Sequence, residues 1–470
     1  MVNKIQKKHP CSLLSYLKSR KMKLFKIIIL FSLLSNPVLG QTSQRIGYRN
    51  DLMFLKKSLE ENYPSLYRFK SKAFINKLFD NCIQEIYSGI SKRDFYKTLK
   101  LILSNIEDGH LSCSAPDSLR HQIDEKDKYF PLSLYFTENK AYVDCSNLRD
   151  FPSGTEITEI NGVSIPDIRK KLFNYIVSDG KIETKKYWIL NHSFGFYFSL
   201  VYGQHKEYKI TYKNSNGKLQ KTTVNAALKK NIQCTSLTEK ENDKLVDLKF
   251  LHQNIAILTI RTFANDDLLK CNIDFSGFLD SAFIEIKEKK ITSLIIDLRG
   301  NGGGRDAYGA LLYSYLSDTT FRYYQRLETT FKILEEKEHP NLSLQQPKHN
   351  CFSGNTYILI NGLSFSATSE FCTVVKNNNR AIFIGEETGG TYCGNTSGNF
   401  IQTVLPYSRF TVFTPTTKYT MFTTDKKNTD RGIIPDYIIK PTIEDLINKK
   451  DVQLNKAIEL GRNNKHSQKR

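Results

Sequence analysis

Three short segments combine reactive side chains with glycines, and each follows a run of apolar residues. They are the loop Asp297–Gly304, the serine-containing segment Asn361–Phe371 and the tight loop Ile384–Gly390. Glycines let backbone N–H groups approach a ligand closely, and N–H donors fixed in a loop stabilise negative charge as it develops. A serine at the start of a helix can act as a nucleophile, with the helix N-terminal amides facing the developing oxyanion. These residue types are therefore candidates for nucleophilic catalysis.

Each segment also has a simpler interpretation. The loop Asp297–Gly304 could cradle a phosphate, but Walker-type loops need a Gly-Lys-Ser/Thr sequence and this loop has no lysine. A plain strand-to-helix turn would explain one glycine, hardly three in a row. Ser364 or Ser366, with Glu370 nearby, could cap the helix that follows, and for that segment taken alone capping is the simpler interpretation.

The periodicity of apolar residues indicates which elements position these segments. Residues 44–107 repeat apolar side chains every three or four positions, which predicts a helical unit ending at Glu107–His110. From about residue 128 the period becomes two, and Asn161-Gly162 is a tight-turn signal between short runs. A small β-rich domain is expected as far as residue 228, with strands at 129–136, 140–145, 156–160, 208–212 and 221–224 and a helix at 165–176.

The last large segment alternates apolar strands with helices. Strands are expected at 254–262, 291–298, 356–360 and 380–385, and helices at 266–289, 306–317 and 366–377. Such alternation predicts a mostly parallel sheet that is covered on both faces, with its functional sites at the C-terminal ends of the strands. All three candidate segments stand at such ends.

The composition is that of an ordinary folded protein with several domains. The 470 residues are 40% hydrophobic and 12% aromatic, and no repeat of constant period occurs. Part of the formal charge of +20 lies in residues 1–40, which hold eight basic residues and no acidic one. Beyond them there is no basic block with interleaved aromatics and no nucleic-acid motif, so no nucleic-acid partner is expected.

Residues 1–40 have the order of a secretory leader. Met22 opens a basic stretch, Ile27–Leu34 is apolar, and Val38–Gly40 supplies small or apolar residues before Gln41. The apolar run is shorter than the roughly 20 residues of a spanning helix, although an N-terminal membrane anchor stays as the alternative. The sequence predicts a signal peptide at about 22–40 and an exported chain, periplasmic or secreted, with no stable membrane insertion once the leader is removed.

Nine cysteines occur, and one of them, Cys11, lies in the leader. The other eight are dispersed, and they could form disulfides in an oxidising compartment or stay buried as free thiols. No CxxC or HExxH motif occurs, and His110 with Cys113 lacks a second pair of ligands. Neither a metal nor a cofactor is therefore expected.

Together and in this order, the three segments resemble the S41 serine peptidases, the tail-specific or C-terminal processing protease family that includes the tricorn core. Three further motifs carry the resemblance: Asp108–His110, Ser153–Val163 and Arg431–Asp436. They look like the end of the family's helical N-terminal part, its PDZ-type insert and its closing motif. The resemblance covers about residues 45–460, nearly the whole chain after the leader.

The resemblance implies an α+β multidomain fold. Its parts would be a ClpP/crotonase-like α/β protease core, a PDZ-like β-rich insert and an N-terminal helical domain. The implied boundaries are a leader at 1–40, the helical domain at 41–127, the PDZ-like domain at 128–228, the S41-type core at 229–460 and a basic tail at 461–470.

The family's motifs also imply roles for particular residues. The nucleophile falls on Ser366, and the amide of the following residue, Ala367, is one oxyanion donor. The second donor falls within the pair Gly303 and Gly304, and the sequence does not decide between them. No metal or cofactor is required by this chemistry.

The chain departs from the Ser-Lys type of processing protease, because Thr391 stands where that type has its base lysine. It resembles instead the tricorn-like branch, in which a histidine of the N-terminal segment is the base, and His110 matches that position. Histidine suits the role because its ordinary pKa is near neutrality, although a purely structural histidine at a helix end is the alternative. A third residue near the closing motif would be Asp430 or Thr429, and Glu370 could orient groups or cap its helix.

The PDZ-like segment departs as well, because its expected ligand loop, Phe130–Leu134, contains a proline and no glycine. Capture of a peptide C-terminus is therefore in question, while a groove for strand addition stays compatible with the sequence. The resulting prediction is an exported serine endopeptidase that acts on protein or peptide substrates through Ser366 and His110. The alternative is a non-catalytic protein on the same fold that binds a peptide or an apolar ligand.

Overall fold

The structure is a computed structural model that describes residues 42–232, 234–238, 244–252, 254–424 and 429–463. The expected leader and most of the expected basic tail lie outside these residues. Within the described part, no helix has the length and apolar character needed to cross a membrane.

The N-terminal segment is helical, as the three-or-four spacing predicts. Its helices are α1 (42–62), α2 (Lys72–Glu85) and α3 (Lys92–Ile106). Serine hydroxyls accept from backbone N–H groups where α2 and α3 begin, and α3 ends at Glu107, whose φ of 64° is left-handed. The apolar side chains of the three helices form one buried cluster. The turn Asp108–His110 and the short strand β1 (Ser112–Ser114) follow directly.

The β-rich segment forms an antiparallel sheet with helices packed against it. The sheet order is β3-β4-β5-β7-β8, β6 pairs with β5, and β2 pairs with β9. The elements are α4 (Asp117–His121), β2 (Lys128–Tyr129), β3 (Ser133–Thr137), β4 (Lys140–Cys145), β5 (Glu156–Ile160), β6 (Val163–Ser164), α5 (Ile165–Phe173), α6 (Thr184–Tyr202), β7 (Glu207–Lys213), β8 (Leu219–Asn225) and β9 (Ala227–Leu228).

The expected strands at 140–145, 156–160, 208–212 and 221–224 and the helix after Asn161-Gly162 are confirmed, whereas the expected strand 129–136 is divided between β2 and β3, which belong to different sheets. The 19-residue helix α6 is absent from the sequence prediction. Its sequence is apolar and aromatic on most sides, so it lacks the narrow apolar stripe that identifies a surface helix. A disulfide joins Cys145 at the end of β4 to Cys234 in the connection to the next segment. The buried cysteines Cys82, Cys113 and Cys372 are thiols.

The third segment contains a six-stranded sheet of order β10-β11-β12-β14-β15-β18, which is parallel except for the edge pair β10–β11. Its elements are β10 (Val246–Leu251), β11 (Ile255–Ile260), α7 (Asn265–Lys270), α8 (Phe275–Glu288), β12 (Ser293–Asp297), α9 (Asp306–Ser314), β13 (Tyr324–Glu328), β14 (Asn355–Ile360), α10 (Ala367–Asn377), β15 (Ile382–Gly385), β16 (Gly394–Val404), β17 (Thr411–Met421), β18 (Tyr437–Ile438), α11 (Ile443–Ile447) and α12 (Val452–Asn463).

Both faces of this sheet are covered, which confirms the prediction from its apolar strands. Helices α8, α9 and α10 contribute to the large core on one face, and α12 packs on the other. The expectation of one long helix at 266–289 is wrong. The chain breaks between α7 and α8, where Asn272 has a φ of 55°, so two helices form instead.

The long hairpin β16–β17 connects the third segment to the N-terminal helices. Strand β17 pairs with β1, and Leu405, Phe410 and Val412 are buried among the apolar side chains of α1 to α3. Since β1 begins two residues after His110, this pairing brings the turn that carries the histidine to the third segment. The helical segment is thus joined to the core by a shared sheet and a shared apolar cluster.

Candidate active site

Ser366 stands between the end of β14 and the start of α10, at the C-terminal edge of the parallel sheet. Its backbone has φ 55° and ψ −129°, a conformation that residues other than glycine rarely adopt. The side chain is partly exposed and makes no capping hydrogen bond to α10. The capping interpretation therefore does not hold for Ser366, whose hydroxyl has no hydrogen-bond partner in the described part of the chain.

The two neighbouring serines are engaged in holding the turn. The Ser364 hydroxyl is fully buried, donates to the Leu298 carbonyl at 2.9 Å and accepts from the Asn361 N–H at 3.1 Å. The Ser369 hydroxyl donates to the Ser366 carbonyl at 2.8 Å. Of the three serines in this segment, Ser366 alone has a hydroxyl that makes no hydrogen bond to a described residue.

The glycine loop lies directly against the Ser366 turn. A β-carbon at Gly303 would lie 2.7 Å from both the Phe365 carbonyl oxygen and Ser366 Cβ, and φ at Gly303 is +96°, so only glycine fits there. The Gly303 N–H already donates to Asn301 Oδ1 at 3.0 Å. Among the described residues, no acceptor faces the N–H of Gly304 or of Ala367. Of the two expected glycine donors, Gly304 is therefore the one whose N–H is uncommitted.

Backbone hydrogen bonds fix the three loops relative to one another. The Phe365 N–H donates to the Asn301 carbonyl at 3.1 Å, and the Gly389 N–H of the third loop donates to the Ser364 carbonyl at 3.0 Å. The Gly300 N–H donates to Asn361 Oδ1 at 3.0 Å. The loops are thereby pre-organised around Ser366.

A buried ion cluster anchors the start of the glycine loop. Asp297 Oδ2 lies 2.8 Å from Arg299 Nη2 and 3.0 Å from Arg261 Nη2. Burial opposes ionisation of the Asp297 carboxyl, but the two guanidinium groups outweigh it and hold its pKa well below the usual range. Arg299 also reaches Asp451 at 2.7 Å, which ties the loop to the start of α12.

His110 lies beside the Ser366 turn, although 256 positions separate the two residues in the sequence. Its ring centroid is 4.3 Å from that of Phe365, the residue immediately before Ser366, and its side chain is 9% exposed. Neither imidazole nitrogen has a hydrogen-bond partner among the described residues. The expected approach of His110 to the turn is found, whereas no hydrogen bond joins its ring to the Ser366 hydroxyl.

Two buried aspartates hold the turn that carries His110. Asp108 Oδ1 accepts from the His110 backbone N–H at 2.7 Å and lies 3.7 Å from His110 Nδ1, while Asp108 Oδ2 accepts from the Tyr63 hydroxyl. Asp179 Oδ1 accepts from the Gly109 N–H at 2.6 Å, and Asp179 Oδ2 has no hydrogen-bond partner within the described ranges. The imidazole therefore has a carboxylate on its own turn and a second one from the loop before α6.

Lys185, in the first turn of α6, is buried in the same cluster. Its Nζ donates to the Gly109 carbonyl at 2.9 Å and lies 3.1 Å from the centre of the Phe365 ring. Burial lowers the pKa of Lys185 to about 8, against the opposing attraction of Asp179 and Asp108. Burial and the neighbouring Asp108 raise the pKa of Asp179, whereas His110 and the Tyr63 hydroxyl outweigh burial and lower that of Asp108.

The donor atoms of Asp108, His110 and Asp179 all lie within 4.8 Å of one another, a spacing that invites comparison with a metal centre. The Lys185 ammonium already supplies a positive charge beside both carboxylates. A metal ion would have to displace or repel that charge. We therefore assign no metal to this cluster.

Glu370, expected to orient groups or to cap its helix, points elsewhere. Its carboxylate is buried and accepts from the Tyr324 hydroxyl and from Asn395 Nδ2, each at 2.7 Å. Burial and the neighbouring Asp306 raise the pKa of Glu370 to about 7. Both of its oxygens are thus used between α10 and the strands β13 and β16, one turn away from Ser366.

The remaining candidates hold loops together. Thr391, at the position of the missing lysine, accepts from Arg68 at 2.9 Å and donates to the Gly394 carbonyl. Asp430 pairs with Lys181 at 2.7 Å, so its carboxylate is engaged away from His110. No hydrogen bond of Thr429 to the site occurs in the described part of the chain.

The closing motif ties itself to the third loop. Arg431 makes two hydrogen bonds to the Glu387 carboxylate, at 2.8 and 2.7 Å, and the Gly432 N–H donates to the same carboxylate at 2.8 Å. The Ile433 N–H donates to the Thr388 hydroxyl at 2.8 Å. The motif therefore fixes the loop that in turn supports the Ser366 turn.

Sequence reasoning missed Asp179 and Lys185. Asp179 precedes a glycine with a φ of +49°, as Asp108 precedes Gly109, and this repeated Asp-Gly pair is the one signal that could have drawn attention to it. Nothing in the sequence around Lys185 distinguishes it from the many exposed lysines. Its role follows from the position of α6, which the sequence did not predict.

Residues 254–439 match the family model described as Peptidase family S41. Among solved structures, the chain is similar to mature CPAF, with a TM-score of 0.63 and 13% identity over 89% of this chain and 97% of that one. It is similar to mature CPAF complexed with lactacystin, with a TM-score of 0.62 and 13% identity over 89% and 98% of the two chains. The photosystem II D1 C-terminal processing protease gives a TM-score of 0.39 and 14% identity over 84% and 93%. No curated protein sequence matches significantly.

Proposed function

We propose that the chain, whose residues 254–439 match the model of Peptidase family S41, is an exported serine endopeptidase of that family with Ser366 as the nucleophile and His110 as the general base. One observation carries the assignment of the nucleophile. Ser366 holds an uncommitted hydroxyl on a strained turn at the start of α10, while the hydroxyls of Ser364 and Ser369 are engaged. Strained backbone at such a turn is typical of nucleophiles.

In the proposed reaction, the Ser366 hydroxyl gives its proton to the His110 imidazole as its oxygen bonds to the carbonyl carbon of the substrate. The resulting tetrahedral oxyanion is stabilised by the N–H groups of Ala367 and Gly304 and by the N-terminal end of α10. His110 then protonates the leaving amine as the C–N bond breaks. Water hydrolyses the acyl-enzyme by the same steps, with His110 again taking and returning the proton.

The His110 ring and the Ser366 hydroxyl must come together for this transfer. The ring already packs against Phe365, the neighbour of Ser366, and neither of its nitrogens makes a hydrogen bond to a described residue. A change in the imidazole rotamer or one bridging water would complete the contact, and catalytic hydrogen bonds are often long without substrate. The carboxylates of Asp108 and Asp179 would stabilise the imidazolium as it forms.

Export is supported by the Cys145–Cys234 disulfide, since such bonds persist in oxidising compartments. The order of charged and apolar residues in 22–40 supports it independently. For the PDZ-like segment we propose no capture of peptide along β3. Asn191 of α6 already accepts from the Phe136 N–H of that strand at 2.8 Å, which reduces the free edge available for strand addition.

The experiment that tests the proposal measures hydrolysis of an unfolded protein substrate by the wild type and three variants. Ser366→Ala should lower kcat by several orders of magnitude with an unchanged far-UV spectrum. Ser369→Ala is the matched control on the same helical face and should keep most of the activity, and Ser364→Ala should affect stability more than chemistry. Full activity in Ser366→Ala would reject the nucleophile, and an inactive wild type would favour a non-catalytic binding protein.

A further inference from the structure

Lys185 is a buried lysine whose contacts all lie at the turn that carries His110. Its side chain is 5% exposed, and its Nζ donates to the carbonyl of Gly109, the residue before His110. The same Nζ lies over the face of Phe365, the ring against which His110 packs. Lysines are almost never buried to this degree unless they are paired or have a function.

The surroundings of Lys185 show why Gly109 has no side chain. A β-carbon at Gly109 would lie 2.5 Å from Lys185 Nζ, 3.0 Å from Asp179 Oδ1 and 3.0 Å from Phe365 Cζ. The backbone of helix α6 is equally close to the nucleophile turn, because a β-carbon at Gly362 would lie 2.8 Å from the Lys185 N atom. Lys185 therefore joins the histidine turn, the loop before α6 and the nucleophile turn.

The charges in the cluster can be counted. Asp108 and Asp179 bring two negative charges, Lys185 brings one positive charge, and His110 is either neutral or positive. The cluster with neutral His110 has a net charge of about −1, and one proton on His110 brings it to zero. Proton transfer from Ser366 to His110 thus neutralises a buried charge, while the loss of Lys185 would leave two carboxylates to hold a proton on the imidazole permanently.

We propose that Lys185 is a positioning residue that fixes the Asp108–His110 turn and balances the two buried aspartates, so that His110 is neutral and able to accept a proton at neutral pH. This inference rests on the proposed role of His110. Lys185 acts through the turn and through its charge, and no proton passes through it. The lowered pKa of Lys185, about 8, agrees with burial in this cluster but leaves the ammonium mostly charged at neutral pH.

Other charged groups around the cluster are paired among themselves. The Tyr63 hydroxyl donates to Asp108. Glu107, at the end of α3, pairs with Lys70 at 2.7 Å, and Asp430, from the segment before the closing motif, pairs with Lys181 at 2.7 Å. Because these outer pairs are internally balanced, the two aspartates and Lys185 are left to set the charge at His110.

The test compares the pH dependence of kcat/KM for the wild type, Lys185→Met and Asp179→Asn. Lys185→Met removes a positive charge and should move the acidic limb of the profile to higher pH by about one pH unit. Asp179→Asn removes a negative charge and should move the limb to lower pH by about the same amount. Asn keeps the oxygen that accepts from the Gly109 N–H. Lys186→Met is the matched control: Lys186 is the next residue, bonds the Phe173 carbonyl at 3.0 Å, and should leave the limb in place.

A second readout needs no activity. In Ser366→Ala protein, the NMR titration midpoint of the His110 ring should move in the same two directions when Lys185→Met or Asp179→Asn is added. This measurement separates the proposed role of Lys185 from the proposed peptidase activity, because the titration of His110 can be followed even if the chain hydrolyses nothing. Unmoved midpoints and limbs in folded variants would overturn the role of Lys185. Loss of hydrolysis at every pH in folded Lys185→Met would also overturn it, by making Lys185 the base. If Lys185→Met does not fold, the shift of the acidic limb and of the His110 midpoint in Asp179→Asn decides whether the charges of the cluster set the protonation of His110.

Discussion

Two buried carboxylate clusters, one at Glu370 and one at His110, differ in how their polar atoms are used. At Glu370, both carboxylate oxygens accept hydrogen bonds from neutral donors, Tyr324 and Asn395. At His110, both ring nitrogens and Asp179 Oδ2 lack a hydrogen-bond partner in the part of the chain that the structure describes, and a buried ammonium lies beside the carboxylates. A carboxylate with both oxygens bonded holds elements together, whereas buried groups with unused donors and acceptors can take up and release protons.

The comparison teaches that burial and a displaced pKa do not by themselves identify a catalytic group. Burial raises the pKa of Glu370 to about 7, a value that would suit a general base. Yet its hydrogen bonds direct it toward β13 and β16, away from Ser366. Contact with the nucleophile turn distinguishes the His110 cluster, and the sequence motif Asp108–His110 leads to the same cluster.

The largest expected effect comes from exchanging one group in each cluster for glutamine. His110→Gln should lower kcat/KM by about 10²–10⁴-fold, because a glutamine of similar size cannot take the serine proton. Glu370→Gln should stay within about threefold of the wild type, since its role is to join α10 to neighbouring strands. Steady-state hydrolysis of one peptide by both variants checks this pair, and a larger loss in Glu370→Gln than in His110→Gln would reverse the assignment.

A smaller loss is expected when the histidine turn is displaced without changing a reactive group. Gly109→Ala places a β-carbon 2.5 Å from Lys185 Nζ, so the turn must shift, and kcat/KM should fall by about 10²-fold. Gly195→Ala, on the same helix as Lys185, is the control, because its nearest neighbour would be 3.4 Å away. Helix propensity predicts that the control is unchanged in activity and more stable by at most about 1 kcal/mol. Unchanged activity in Gly109→Ala would show that the turn need not be fixed.

The smallest effect concerns stability and pH in the Glu370 cluster. A carboxyl whose pKa is raised in the folded state stabilises the fold fully at low pH and loses that contribution as pH rises through the folded pKa. With a folded pKa of about 7 for Glu370, the wild type should lose about 2–3 kcal/mol between pH 4.5 and 7 from this group. Urea unfolding of Glu370→Gln should lack this part of the slope. Parallel pH profiles for the two proteins would contradict the buried, ionisable state of Glu370.

The parallel core could be predicted because it depends on local patterns, whereas the role of Ser366 was assigned through the resemblance of three segments to a family. Apolar strands such as Ile291–Leu298 are recognisable without tertiary information, and three glycines in one loop have few uses. The helix start at Ser366 was recognisable too, but capping and catalysis predict the same serine. The structure argues against capping, because Ser366 has a φ of 55° and makes no cap hydrogen bond, and catalysis by Ser366 stays a proposal.

The cluster of His110, Asp179 and Lys185 could not be predicted from local patterns because it depends on long-range packing. His110 reaches the turn since β1 pairs with β17, a contact between residues almost 300 positions apart. Asp179 enters through the loop before α6 and Lys185 through the first turn of α6, a helix without an apolar stripe. Such contacts leave no periodic trace in the sequence, so only the family motif pointed to His110, and nothing pointed to Lys185.

The most direct test of the account is labelling with a serine-reactive fluorophosphonate, followed by mass spectrometry of the modified peptide. We predict a single adduct on Ser366, formed more slowly as the pH falls through about 6–7, the usual range of histidine protonation. The adduct should be lost in Ser366→Ala and should form at a strongly reduced, pH-independent rate in His110→Gln. An adduct on Ser364 or Ser369, or an unchanged rate in His110→Gln, would contradict the account.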